Sequence, residues 1–241
     1  MTKAQRTFTP RPLADREPIA SLAILSGNYF KTAAHFRAMA AEDKTRWPGH
    51  FYVFPAVVMY TTAFEAFLQE HLAFSRFRLE RSQDDVNTDD LKRIDALKAQ
   101  EKPFGDFKDW VKEIYRLYDP KGVGLDPNCE QYQNLLALKD LRNAVIHYNA
   151  TFIEQIVWPA RLEQALHRSK IQVVNAGWVT NFLRVEVADW AHASVRAAVE
   201  LFSHITGAEN PFTTTDADGM LNWEHVRSNP ALQSTPILPP N

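Results

Sequence analysis

The sequence predicts an all-α fold, a helical bundle of about five to seven helices, on three observations. Apolar residues recur at steps of three and four through most of positions 18–207. The chain is 45% hydrophobic and 12% aromatic, enough to fill a sizeable core in 241 residues. One stretch only, 169–187, is rich in β-branched residues and poor in helical period; around Asn175-Ala176-Gly177 it suits a short β-hairpin near 170–186.

The elements follow in order. Residues 1–17 form a flexible arm, with Pro10, Pro12 and Pro18 keeping the chain extended. Ile19, Leu22, Leu25, Tyr29, Ala33, Phe36 and Met39 mark one face of a first helix. A second begins near Pro55, since proline suits a first turn, and runs to about Leu79. It is apolar on more than one side, which places it at the centre of the bundle. After a polar, acidic loop at 81–90, Thr88 caps a short helix carrying Leu91, Ile94 and Leu97. Phe107, Trp110, Val111, Ile114, Leu117 and Tyr118 give a clean amphipathic pattern, broken by Asp119-Pro120-Lys121-Gly122. Asp126-Pro127 reads as an N-cap with proline in the first position of a helix that carries Tyr132, Leu135, Leu138, Leu141 and Val145. A last helix bears Trp190, Ala193, Ala197, Ala198, Leu201, Phe202 and Ile205, and Gly207 ends it. Residues 208–241 hold five prolines and no lasting period, an extended or disordered tail. Residues 18–207 are thus expected to be one domain.

Charge and cysteine content bound the function. A net charge of −2 gives no global basic field to hold nucleic acid, so any such contact must be local. Cys129 is the single cysteine and has no disulfide partner in the chain. With no span of about 20 apolar residues and no signal-like start, the expected location is the cytoplasm, with no membrane association. No His-Glu-x-x-His, cysteine–histidine cluster, glycine-rich phosphate loop or Gly-x-Ser-x-Gly elbow occurs, which lowers the weight of zinc enzymes, ATPases, dehydrogenases and the usual hydrolases. No metal or cofactor is expected.

What stands out is Arg142-Asn143-Ala144-Val145-Ile146-His147, at the end of the amphipathic run Leu135–Leu141. Arginine stays charged and can fork onto a phosphate. Histidine exchanges a proton near neutral pH, and asparagine can orient either group. Together with Thr62-Ala63-Phe64-Glu65-Ala66-Phe67-Leu68, whose glutamate interrupts an apolar helix, the segment resembles the Arg-Asn-x-x-x-His signature of the HEPN superfamily (higher eukaryotes and prokaryotes nucleotide-binding domains). The matching helices span about 19–205; the distinctive part is the short motif.

That resemblance implies a metal-independent endoribonuclease that leaves a 2′,3′-cyclic phosphate, in a toxin–antitoxin or antiviral defence setting. It implies Arg142, His147 and Asn143 as the catalytic set and RNA as the substrate, with Lys139, Tyr148 and Glu65 expected to help hold it. A cognate antitoxin or defence protein is the expected partner. Arg142 and His147 point about 140° apart on a helix, whereas Asn143 and His147 share a face. In the resembled family dimerisation brings two helix ends into one cleft, so a homodimer is expected. Some resembled toxins carry a tyrosine two positions after the histidine, which a partner nucleotidylates. Asn149 stands there and the tyrosine is Tyr148, so the resemblance does not extend to that modification.

The alternative is a non-catalytic HEPN-like module that binds a nucleotide, an RNA or a protein. Plainer roles stand beside both. Arg142 can pair with Asp140 or Glu130, and His147 can serve as a helix-end cation. Glu65 can bond a neighbouring helix or approach Arg142. Arg161 is either a phosphate contact or a solvated cation, and Trp158 either walls a cleft or fills the core.

Overall fold

The computed structural model describes residues 25–43, 50–81, 88–99, 106–119, 124–146, 159–172 and 181–206. They form an all-α bundle of seven helices: α1 Ser26–Glu42, α2 His50–Arg81, α3 Thr88–Ala99, α4 Phe107–Tyr118, α5 Glu130–Ile146, α6 Ala160–Arg168 and α7 Val185–Thr206. The flexible arm and the proline-rich tail expected at the two ends lie outside the described residues.

Helix α2 is the axis. Val53, Ala56, Val57, Tyr60, Phe64, Phe67, Leu68 and Leu72 are all buried, and α1, α3, α5 and α7 pack around it. Its polar side chains are absorbed internally: the Thr61 and Thr62 hydroxyls donate to the Val57 and Val58 carbonyls, each at 2.9 Å. Within it Phe51–Phe77 is long and apolar enough to cross a membrane, yet half of that window is buried inside the fold. That burial is what a central bundle helix requires.

Side-chain pairs fix the directions. Ser26 meets Glu70 and Phe30 meets Tyr60, so α1 runs antiparallel to α2. Tyr60 meets His192 and Phe67 meets Phe202, so α7 runs parallel to it. Arg76–Asp95 with Gln69–Lys98 sets α3 antiparallel to α2, and Arg161–Asp140 with Arg168–Asn134 sets α6 antiparallel to α5. Phe202 is the hub of the aromatic core, meeting Phe67, Tyr115 and Tyr118 edge-on with ring centres 5.3, 5.1 and 5.5 Å away. Such edge-on pairs add about 0.5–1.5 kcal/mol each beyond area burial. Two buried phenols are satisfied by backbone: Tyr115 Oη donates to Ala198 at 2.7 Å and Tyr132 Oη to Lys108 at 2.9 Å.

Three boundaries differ from the sequence expectation. Helix α2 begins at His50, so Pro55 lies inside it. Proline there removes one backbone donor near the start of a helix whose burial outweighs the loss. Asp126 caps a turn rather than α5 itself, accepting from the Asn128 N–H at 2.8 Å, and the helix starts at Glu130. The hairpin expected near 170–186 finds no strand among the described residues. Asn181 and Phe182 form a helical turn and α7 starts at Val185, because the Val185–Val187 run packs as a helix face. Residues 173–180 lie outside the described set.

Candidate functional site

Helix α5 carries the motif and is anchored on three sides, against α2, α6 and α7. Leu135, Leu136, Ala137, Leu138, Leu141 and Val145 are buried. This leaves Lys139, Arg142 and Asn143, at relative positions i, i+3 and i+4, on one remaining strip.

Arg142 is part-buried. Its Nη1 donates to Asn143 Oδ1 at 3.0 Å, which ties the two motif side chains together. Its Nε is buried and meets no acceptor. The alternative pairing with Asp140 or Glu130 is not formed: Asp140 accepts from Arg161 Nη1 at 3.3 Å, and among the described residues no carboxylate pairs with Arg142. Partial burial raises the Asp140 pKa, against the pull of the Arg161 guanidinium. Arg161 is therefore engaged in holding α6 to α5.

Glu65 reaches α5 but meets Lys139, not Arg142. The two form a half-buried ion pair, and the Lys139 ammonium also sits 4.9 Å from the centre of the Phe107 ring. Removing one partner of such a pair strands the other charge, so these two residues satisfy each other and tie α2 to α5. Helix α5 closes at Ile146, which is 43% exposed. His147, Tyr148 and Trp158 lie outside the described residues. Of the expected set, the structure pairs Arg142 with Asn143 and Lys139 with Glu65. A separate groove of about 950 Å³ beside Glu163, Gln164, His167 and Arg168 does not include them.

Two polar clusters escaped the sequence reading. Glu70, 8% exposed, closes the first turn of α1 by accepting from the N–H groups of Leu25 and Ser26 at 2.6 and 2.9 Å. Tyr60 Oη is bonded to His192 Nδ1 at 2.9 Å beside an Arg37–Asp189 ion pair. Burial pushes the His192 imidazole down to about 4, helped by Arg37 and Arg196, and pushes the Tyr60 phenol far above its ordinary value, so both are neutral at pH 7. Their members are separated by 44 and 132 positions, so no local spacing could have signalled either. Among the described residues no three of His, Cys, Asp or Glu gather as a metal-binding group. No family model matches the chain, and neither does any curated protein or any solved structure.

Proposed function

We propose that the chain is an HEPN-like domain that cleaves RNA without a metal ion, working as a homodimer in a toxin or defence setting with a cognate antitoxin or defence partner. The observation that carries this reading is Arg142: a guanidinium with no carboxylate partner among the described residues, steadied by Asn143, with one buried N–H unmet. A guanidinium held so, five residues before a histidine, is arranged to receive an anion. In the proposed reaction His147 takes the proton from a ribose 2′-hydroxyl as that oxygen attacks the adjacent phosphorus. The bond from phosphorus to the 5′-oxygen breaks, and an imidazolium returns a proton to the leaving oxygen. Arg142 stabilises the added negative charge on the phosphoryl oxygens.

Purified protein in excess EDTA should convert RNA to products ending in a 2′,3′-cyclic phosphate. His147→Ala should lower the rate by roughly 10²–10⁴-fold and Arg142→Lys by roughly 10²-fold, with melting temperatures unchanged. Equal cleavage by wild type and His147→Ala sinks the reading. Binding of RNA with no cyclic-phosphate product replaces it with the non-catalytic module. Sedimentation at micromolar concentration should report a dimer.

A further inference from the structure

Helix α6 ends through Lys170, whose φ of 58° is in the left-handed region. The Ile171 N–H donates to the Leu166 carbonyl at 2.9 Å and the Lys170 N–H to His167 at 3.0 Å, the double hydrogen bond of a Schellman closure. Glycine is the usual residue at that position, and a lysine there is strained. The closure sets Lys170 on the wall of a cavity of about 580 Å³, whose lining includes Lys170, Gln172, Arg184, Glu186, Asp189 and Trp190. That volume is ample for a small organic ligand.

Two donors in this lining are buried without an acceptor: Arg184 Nε and the indole Nε1 of Trp190. Trp190 is only 5% exposed. Buried N–H groups are almost always bonded in folded proteins, and two orphans in one lining need an explanation. The carboxylates nearby do not supply it. Asp189 is held by Arg37, and Glu186, whose side chain is 63% exposed, forms an ion pair with Arg184 but lies 3.8 Å from its Nε, too far for a hydrogen bond. What is missing is an acceptor within hydrogen-bond distance of the two N–H groups.

We infer that this cavity binds a phosphate group, through Arg184 Nε, Trp190 Nε1 and the Lys170 ammonium. An indole N–H, a guanidinium N–H and an ammonium on three separate side chains are more donors than the two oxygens of a planar carboxylate meet one to one. A phosphate offers an oxygen to each. The phosphate is either free or the end of a small organic molecule that occupies the remaining volume.

Calorimetric titration of the full chain at constant ionic strength tests this with three probes: inorganic phosphate, acetate and adenosine monophosphate. Saturable binding of phosphate, with none for acetate or added chloride, is expected. Affinity that rises tenfold or so from phosphate to the nucleotide assigns an organic phosphate; equal affinity assigns the free ion. Trp190→Phe keeps the ring and removes only the N–H. It should weaken phosphate binding by roughly tenfold without lowering the melting temperature of the unliganded protein, because an orphan donor contributes nothing to stability. Arg184→Gln should weaken binding as much. Lys170→Gly should raise the melting temperature by relieving the strained closure and still weaken binding. Absence of saturable phosphate binding, or affinities unchanged in both Trp190→Phe and Arg184→Gln, overturns the assignment.

Discussion

Glu70 belongs to α2 but acts on α1. One carboxylate oxygen accepts from two backbone N–H groups that begin α1, and the other accepts from the Ser26 hydroxyl at 2.5 Å. Leu25, at the N-cap position, offers no side-chain acceptor of its own. The four leading N–H groups of a helix lack internal partners, so Glu70 replaces the local cap that the sequence omits. Burial raises its pKa while the three hydrogen bonds lower it, and burial is the larger effect. Glu70→Gln exchanges an acceptor for a donor against three donors, and should cost about 1–3 kcal/mol in urea denaturation. A loss below a few tenths would show that α1 starts without it. A cap drawn from 44 positions away leaves no mark in the sequence near Ser26. The Arg142–Asn143 hydrogen bond, by contrast, joins adjacent residues, so a sequence that places the two side by side makes that contact available locally.

Elements were legible where one clean period runs unbroken. Helix α4 buries Trp110, Val111, Ile114, Leu117 and Tyr118 of the positions its spacing marks, with Phe107 only partly buried, and Asp106, which the pattern did not single out, caps it by accepting from the Asp109 N–H at 3.0 Å. Boundaries were less legible where burial overrides a local signal, as at Pro55, or where a turn intervenes, as at Asp126. The turn after α4 shows what fixes such an end. Asp119 Oδ2 accepts from the Gly124 N–H at 2.7 Å, and Gly124 sits at φ +75°. A Cβ added there would lie 3.3 Å from Arg116 Cβ. Gly124→Ala should therefore destabilise by about 1–2 kcal/mol, from the left-handed backbone and the close contact together. A variant as stable as wild type in thermal denaturation would mean that the turn relaxes freely. Leu138→Ala on α5, with the leucine fully buried, should cost more, about 2–5 kcal/mol.

Over the whole molecule, the apolar character of α2 on more than one side announced its central place, because such a helix must bury several faces. What pattern could not announce is what that centre does to titratable groups. His71 lies on α2 among Phe67, Tyr118 and Phe202, with ring centres 4.5, 6.3 and 5.0 Å away. Burial there pushes its imidazole down from 6.5 to about 4. The unfolded chain thus binds the proton more readily than the fold does. Its contribution is intact above pH 6.5 and drains away as the pH falls toward 4, amounting to about 1–3 kcal/mol. Glu70 and Asp140, whose carboxyls are raised, pull the opposite way, since they protonate more readily in the fold. A variant that changes only His71 separates the terms. In His71→Phe the aromatic packing is kept and the titration removed. Its stability, followed by urea unfolding from pH 7 to pH 4.5, should fall less steeply than that of wild type, so the difference between the two curves moves in the variant's favour as acid is added. Parallel curves would place the proton sensitivity elsewhere, with His192, the other imidazole that burial depresses, as the next residue to replace.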